Sequence, residues 1–207
     1  MDKPTVLIFD IDQERTSMQD LTRLLRDTCA QRATVWQAAS SKAAITMIDS
    51  YPDARAIILL DSGIKHRAPY LHKRLRQYAE VGGVVVHSGL FSSFIAVDEM
   101  NRYWDQVWDL PWIAGSYFSH ELYLNRLVPG LGTPGLKASY SQKALHLRRV
   151  EKSSAVYIPD PTSEEADHRQ IASVFHPYGN GFVGYTGDVN NEEGTTMLVL
   201  AMCGLSG

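Results

Sequence analysis

The chain has 207 residues and a formal net charge of −3, with 44% hydrophobic and 21% charged residues. These values are ordinary for a globular domain, and a chain of this length buries roughly 70% of its unfolded surface without a metal or a disulfide. The slight negative charge argues against a general nucleic-acid binder, which carries a basic face. No window approaches about 18 uncharged apolar residues, so the sequence predicts no membrane-spanning helix.

The cysteines, Cys29 and Cys203, have no CxxC motif and no Cys or His partner at metal-binding spacing. Their apolar surroundings predict buried, reduced and inert thiols in a reducing compartment. The apolar run at the start of the chain is short and ends at Asp10, so it predicts a strand and not a signal peptide. We therefore expect a cytoplasmic protein.

The first half of the chain alternates predicted strands and helices. Strand-like runs lie at 5–9, 33–38, 56–60 and 84–86, and helical apolar spacing lies at 14–30, 41–48 and 70–80. Repeated strand–helix units predict a parallel sheet with right-handed crossovers. The strands that end near Phe9, Leu60 and Val86 should therefore be parallel neighbours.

The second half begins with an aromatic insertion over about 90–140, which contains most of the tryptophans and many glycines and prolines. There we expect a helix at 97–108 and then loops, packed as a lid over the domain. Strands are predicted at 145–150, 155–158, 173–178 and 182–185, and an apolar helix at 194–204. The chain is expected to be one α/β domain over 1–207, a flavodoxin-like three-layer sandwich with a mainly parallel central sheet, the aromatic insertion and a C-terminal β-hairpin.

Polar residues follow three of the predicted strands. They are Asp10-Ile11-Asp12, Asp61-Ser62-Gly63 and His87-Ser88-Gly89. Ligands of open parallel sheets bind beyond the carboxyl ends of the strands. Asp and Ser in such places also cap helices and form turns, so a purely structural interpretation stays open beside the functional one.

Three stretches of the sequence resemble the ThuA-like branch of the class I glutamine amidotransferase-like superfamily. They are LHKRLRQYA with VGGVVVHSG at 71–89, IAGSYFSH at 113–120, and YGNGFVGYTGDVNNEEGTT at 178–196. The resemblance covers nearly the whole chain and implies the amidotransferase-like fold.

In active amidotransferases a Gly-x-Cys-x-Gly turn holds the nucleophile, and a His after a late strand activates it. The matching positions here are His87, with Ser88 beside it, and the turn Thr186-Gly187-Asp188, which contains no His. A cysteine nucleophile needs a base within hydrogen-bond reach. The resemblance therefore implies a domain without the usual Cys–His glutaminase machinery, and the G-x-S-x-G motif of serine hydrolases is absent as well.

We expect the chain to bind or turn over a small polar molecule in a cleft at the strand ends. An enzyme would use His87 as acid/base or Ser88 as nucleophile, with backbone N–H groups near Gly63 and Gly89 as oxyanion donors. The other expected ligand-binding side chains are Asp61, Ser62, His120 and Asp188. Whether the domain is an enzyme stays open. A homo-oligomer is possible, and the sequence does not identify a cofactor. We expect no nucleic-acid partner, no membrane partner and no metal site.

Two alternatives stay open. The first is a catalytically degenerate binding or assembly module, in which the same cleft is vestigial. The second is a phospho-receiver, because VLIFDIDQERTSMQDLTRLL and PDARAIILLDSG resemble receiver sequences, with acids Asp10, Asp12 and Asp61 to bind Mg²⁺ and Ser88 as the hydroxyl. Against the receiver, Ile11 separates the first two acids and the chain continues far beyond Ser88.

The remaining histidines carry weaker expectations. His66 and His72 lie in a basic stretch that is typical of a solvated helix surface, and His146, His168 and His176 have no metal-like spacing. A zinc site built from His87, His120 and Asp188 would have to be assembled by folding, because their spacing gives no support for it.

Overall fold

One mixed β-sheet organises the chain in a computed structural model that describes residues 3–11, 20–64 and 68–206. The helices are α1 (Asp20–Arg32), α2 (Ser41–Ser50), α3 (Pro69–Glu80), α4 (Val97–Trp108) and α5 (Glu193–Met202). The strands are β1 (Thr5–Phe9), β2 (Thr34–Ala38), β3 (Ala56–Leu59), β4 (Val84–His87), β5 (Ile113–Leu124), β6 (Ser139–Arg148), β7 (Ala155–Ile158), β8 (Ser173–Tyr178) and β9 (Gly181–Thr186).

The strand order across the sheet is β2-β1-β3-β4-β9-β8-β7-β5-β6. The pairs from β2 to β9 are parallel, with Phe9 opposite Leu59 and Leu59 opposite His87. The predicted parallel neighbourhood of β1, β3 and β4 is therefore confirmed. Their short apolar sequences suit it, because a strand covered on both faces has no polar side to alternate with.

The other half of the sheet is antiparallel, so the sheet of the described residues is mixed and its parallel order stops at β9. The expectation of loops after α4 is wrong in part, because Ile113–Leu124 forms the 12-residue strand β5. This strand pairs with β6 from Ile113–Arg148 to Tyr123–Ser139. Its glycine and polar residues interrupt the apolar pattern that would predict a strand. The long ladder of hydrogen bonds with β6 stabilises it.

Helices cover both faces of the sheet. On one face Leu7 and Phe9 pack with residues of α2, α3 and α4, and on the other Val6 and Ile8 pack with residues of α1 and α5. The alternation of strand side chains produces these two cores. The α4 side holds a dense aromatic group, in which Trp104, Trp108 and Trp112 are at most 1% exposed. The aromatic insertion thus contributes α4 to the helix layer and β5 to the sheet, and the expectation of a lid is wrong.

Local signals place several boundaries. Ser40 caps α2, because its Oγ accepts a hydrogen bond from Ala43 N at 3.2 Å. Helix α1 is described from Asp20 onward, so the start of the predicted 14–30 helix lies outside the described residues, as do Asp12 and His66. None of the helices described here has the length and apolar content needed to cross a membrane.

Candidate functional site

The turns after β3 and β4 lie against each other at the carboxyl edge of the sheet. Ser88 N donates to Leu59 O at 3.0 Å, and Leu90 N donates to Leu60 O at 2.7 Å. Gly89 has φ of +65°, and a Cβ there would lie 2.9 Å from Leu60 O, so this position requires glycine. The structure therefore brings the predicted Asp61-Ser62-Gly63 and Ser88-Gly89 turns together.

The side chains of these two turns differ in their bonding. The carboxylate of Asp61 is 6% exposed and accepts a hydrogen bond from Gly63 N at 2.8 Å, which forms an Asx turn. The hydroxyls of Ser62 and Ser88 are buried and have no hydrogen-bond partner within the described residues. Most buried hydroxyls in proteins have a hydrogen-bond partner, so each of these two can form a further hydrogen bond.

His87 does not face this edge. Its side chain is fully buried, its Nδ1 donates to Gly184 O at 3.0 Å, and its Nε2 accepts from the Tyr103 hydroxyl at 2.8 Å. The ring lies against Trp104 and Trp108 of α4. The expectation that this ring points into the cleft, bonded to Ser88, Asp61 or Asp188, is therefore wrong. The strand places its side chain on the same face as Val85, which is the face that α4 covers.

Asp188 follows β9 and is fully buried. Its carboxylate accepts hydrogen bonds from Asn190 N at 3.0 Å, Glu192 N at 2.8 Å and Thr195 Oγ1 at 2.6 Å. Burial raises the pKa of this carboxyl. These bonds tie the turn after β9 to the first turn of α5. The carboxylate of Asp188 therefore fixes the position of this turn beside the carboxyl edge of the sheet.

The turn after β9 connects the strand ends to the β5–β6 pair. Ser92 Oγ donates to Gly187 O at 3.1 Å, which joins the segment after Ser88 to this turn. Asp188 forms a bridge with Ala144 of β6, and Val189 N donates to Lys143 O at 3.0 Å. The turn therefore runs alongside the part of β6 that pairs with His120 of β5.

A cluster of polar side chains with buried nitrogen and oxygen atoms lies here, and we call it the β5–β6 cluster. It consists of His120, Gln142 and His146, and Asn191 of the turn after β9 carries a further buried amide. His120 and Gln142 are direct cross-strand partners, and His146 follows on the same face of β6. Both ring nitrogens of His120, both amide atoms of Gln142 and of Asn191, and Nε2 of His146 are buried without a hydrogen-bond partner in the described parts of the chain.

The rings of the β5–β6 cluster stack on Phe118, whose centroid lies 4.2 Å from that of His146 and 4.6 Å from that of His120. Burial lowers the pKa of His146 to about 4 and also lowers the pKa of His120, so both imidazoles are neutral at pH 7. Nδ1 of His146 lies 3.0 Å from Ser116 O. Since a carbonyl only accepts, Nδ1 carries the proton and Nε2 presents a free lone pair.

A bulge in β5 sets up this arrangement. The register of β5 and β6 shifts between Ala114 and Tyr117, which aims the carbonyl of Ser116 at His146. Gly115 permits the bulge, because a Cβ there would overlap the amide oxygen of Gln170. Sequence reasoning found His120 but missed Gln142, His146 and Asn191. The one sequence signal for Gln142 and His146 is the alternation along β6, which identifies them only when that face of the strand is known to be covered.

The residues that a phospho-receiver would use do not converge among the described residues. Asp10 forms an ion pair with Arg26 of α1, and Asp61 holds its own turn. Asp12 lies outside the described residues. No group of three His, Cys, Asp or Glu side chains within 3–11, 20–64 and 68–206 has a metal-binding arrangement, and His87 lies on the α4 side, away from Asp188 and His120.

Both thiols are remote from the strand ends. Cys29 of α1 and Cys203 after α5 are free and fully buried. Burial raises the pKa of Cys29 to about 11 and raises the pKa of Cys203 as well. A thiol in such surroundings is protonated at pH 7 and is a poor nucleophile.

No family model and no curated protein sequence matches the chain. Among solved structures, it is similar to a ThuA-like protein from Parabacteroides merdae, with TM-score 0.59 and 14% identity over 99% of this chain and 89% of that one. A ThuA-like protein from Bacteroides uniformis gives TM-score 0.64 and 11% identity, over 98% and 91% of the two chains.

A β-galactosidase from Bacillus circulans sp. alkalophilus contains a similar region. The TM-score is 0.61 at 15% identity, and the match covers 98% of this chain but 31% of the galactosidase. At these identities the likeness shows the fold. The ThuA-like resemblance predicted from the sequence is thus confirmed for the fold, and the same fold also occurs as part of a larger enzyme chain.

Proposed function

We propose that this chain, a domain with the ThuA-like fold, binds a small neutral polar molecule at the carboxyl edge of its sheet. The observation that carries the proposal is the β5–β6 cluster. A buried donor or acceptor left without a partner costs roughly 1–3 kcal/mol, and native proteins contain few of them. Several in one place are best explained as contacts kept for a ligand.

The chemistry of the cluster argues for a neutral ligand with both donors and acceptors. The imidazoles of His120 and His146 are neutral, and the amide of Gln142 offers both N–H and C=O groups. The carboxylate of Asp188 already accepts three hydrogen bonds from the turn and from α5. A polyol or an amide matches such a lining, and the half-exposed ring of Phe118 offers a flat surface for its carbon skeleton.

The hydroxyls of Ser62 and Ser88 extend the proposed site along the same edge. The hydrogen bond from Ser92 to Gly187 couples the Ser88 turn to the turn that borders the β5–β6 cluster. We assign these hydroxyls to ligand binding. Turnover through Ser88 would need a base, and His87 is bonded on both nitrogens and lies on the other side of the strand.

We favour binding over glutamine hydrolysis by a Cys–His pair. The buried thiols of Cys29 and Cys203 and the absence of a histidine in the turn at 186–188 support this choice. The phospho-receiver alternative has less support, because Asp10 is paired with Arg26. A vestigial site remains the competing hypothesis, and a binding experiment separates the two.

The test is a thermal-shift measurement with glucose, myo-inositol and acetamide on the wild type, on Gln142→Leu and on Ser141→Ala. Ser141 is the matched control, because it neighbours Gln142 on β6 but is exposed. Without a probe, Gln142→Leu should be more stable by about 1 kcal/mol, since an apolar side chain replaces an unsatisfied amide. A probe should raise the melting temperature of the wild type and of Ser141→Ala only.

Two results would contradict the proposal. One is a Gln142→Leu protein that unfolds more easily than the wild type, because the amide would then be making bonds that stabilise the empty domain. The other is a wild type that none of the three probes stabilises at any concentration up to the millimolar range, which favours the vestigial site.

A further inference from the structure

A second cavity lies at the opposite edge of the sheet, where strands β4 and β9 begin. Its volume is about 700 Å³, which falls in the usual range for small-molecule sites. Val84 and Phe182 lie at its floor, at the amino ends of strands of 4 and 6 residues. At about 3.3 Å per residue, these strands separate the cavity from the carboxyl edge by roughly 13–20 Å.

Apolar side chains form one part of the lining of this amino-edge cavity, beside the polar backbone of several glycines. Phe175 and Phe182 stack with ring centroids 4.5 Å apart and planes 5° from parallel, and Met197 and Met202 of α5 lie beside them. Phe182 and Met197 are partly exposed, so their apolar surface is available inside the cavity. Methionine side chains adapt their shape to apolar guests and favour contact with aromatic rings.

A glycine-rich loop, residues 128–136, closes one side. Gly130 adopts φ of +75° and approaches Phe182 so closely that a Cβ would overlap the ring. Gly135 adopts φ of +83° with no atom within 4 Å of the place a Cβ would take. The loop is held by Val128 and Leu136, which are buried. It therefore has a fixed shape that leaves space above the aromatic pair.

Arg55 is the one charged residue that lines the cavity among the described residues. It precedes β3, and its guanidinium packs over Gly204, where a Cβ would overlap it. The described part of the chain offers this guanidinium no hydrogen bond or ion pair. Arg55 is exposed, and a cation at the mouth of a cavity attracts an anion. The planar guanidinium fits a carboxylate with two parallel hydrogen bonds.

We propose that the amino-edge cavity binds an amphipathic carboxylate, with its apolar body against Phe182 and the methionines and its carboxylate on Arg55. The stacked rings and the two methionines of α5 suit an aryl or alkyl chain. The single cation suits one negative charge. This site is separate from the proposed polar-ligand site and does not depend on it.

The experiment is isothermal titration of the whole chain with 4-phenylbutyrate, decanoate and the neutral 4-phenylbutanol. The variants are Arg55→Gln, which removes the charge, and Met197→Trp, which fills the cavity. Arg23→Gln is the matched control, because Arg23 is an exposed arginine of α1 paired with Asp20, away from the cavity. Circular dichroism and melting curves check that each variant is folded.

We expect saturable binding of at least one carboxylate to the wild type with Kd at or below about 1 mM, about tenfold tighter than 4-phenylbutanol. Arg55→Gln should erase the preference for the carboxylate, Met197→Trp should weaken both classes of probe, and Arg23→Gln should behave as the wild type. A stronger response to 4-phenylbutyrate or to decanoate identifies the ligand body as aryl or alkyl. Equal affinity for acid and alcohol, or no saturable binding of any probe, would overturn the proposal.

Discussion

The hydroxyl of Tyr103 donates to Nε2 of His87 across 2.8 Å, and this bond ties the end of β4 to helix α4. The other ring nitrogen of His87 donates to Gly184 O of the neighbouring strand β9. With Trp104 and Trp108 against its faces, the ring has no exposed surface. The histidine at the position that resembles the amidotransferase elbow is thus a fully bonded core residue.

Replacement of His87 by alanine should lower the free energy of unfolding by about 3 kcal/mol. The change leaves a cavity and removes the partners of Gly184 O and the Tyr103 hydroxyl. Urea unfolding measures the loss, and His168→Ala, at an exposed histidine, should stay within about 0.5 kcal/mol of the wild type. A stable His87→Ala protein would show that the ring is not part of the core.

Stability should fall as the pH is lowered from 7 to 5. Burial lowers the pKa of His87 from 6.5 to about 3 and that of His146 to about 4. The unfolded state then binds more protons than the folded state in this pH window, so each histidine contributes stability that is lost below pH 6.5. The expected loss is about 2 kcal/mol for each histidine at pH 5.

Urea unfolding of the wild type and of His87→Gln at pH 7 and pH 5 checks this dependence. The variant is expected to be less stable at both pH values but to show a smaller drop between them, by about 2 kcal/mol. Equal drops in the two proteins would mean that His87 titrates near its ordinary pKa and is not buried as a neutral ring.

The thiols of Cys29 and Cys203 should react with a disulfide reagent only when the chain unfolds. Both side chains are fully buried, and burial raises the pKa of each. Thiol titration in buffer and in concentrated urea checks this, with slow or absent labelling expected in buffer. The double alanine variant should keep any ligand binding. Rapid labelling of the native protein, or loss of binding in a folded variant, would reopen a role for a cysteine.

The parallel half of the sheet was predictable because its strands are short apolar runs separated by amphipathic helices. Their order and direction follow from topology rules that hold for nearly all such units. Strand β5 was not predictable in the same way. Gly115, Ser116 and Ser119 interrupt its pattern, and the β6 ladder that stabilises it starts about 15 residues later in the chain, at Ser139.

The meeting of the turns after β3, β4 and β9 was predictable from the sequence, because the carboxyl ends of parallel strands lie at one edge of a sheet. That these turns bind a ligand stays a proposal. The direction of the His87 ring was not predictable from the sequence, because it depends on which face of β4 helix α4 covers. Gln142 lies near the turn after β9 only because that turn pairs with β6 at Ala144 and Asp188.

The most direct test of the central claim is a titration followed by nitrogen NMR of the histidine rings. Glucose, myo-inositol and acetamide are added in turn to protein labelled with ¹⁵N at histidine. We predict that a binding probe shifts the ring resonances of His120 and His146, because a ligand bonds to their free nitrogens. The resonances of His87 should stay in place, because its nitrogens are already bonded. Unchanged His120 and His146 resonances with all three probes, or shifts confined to His87, would contradict a polar-ligand site at the β5–β6 cluster.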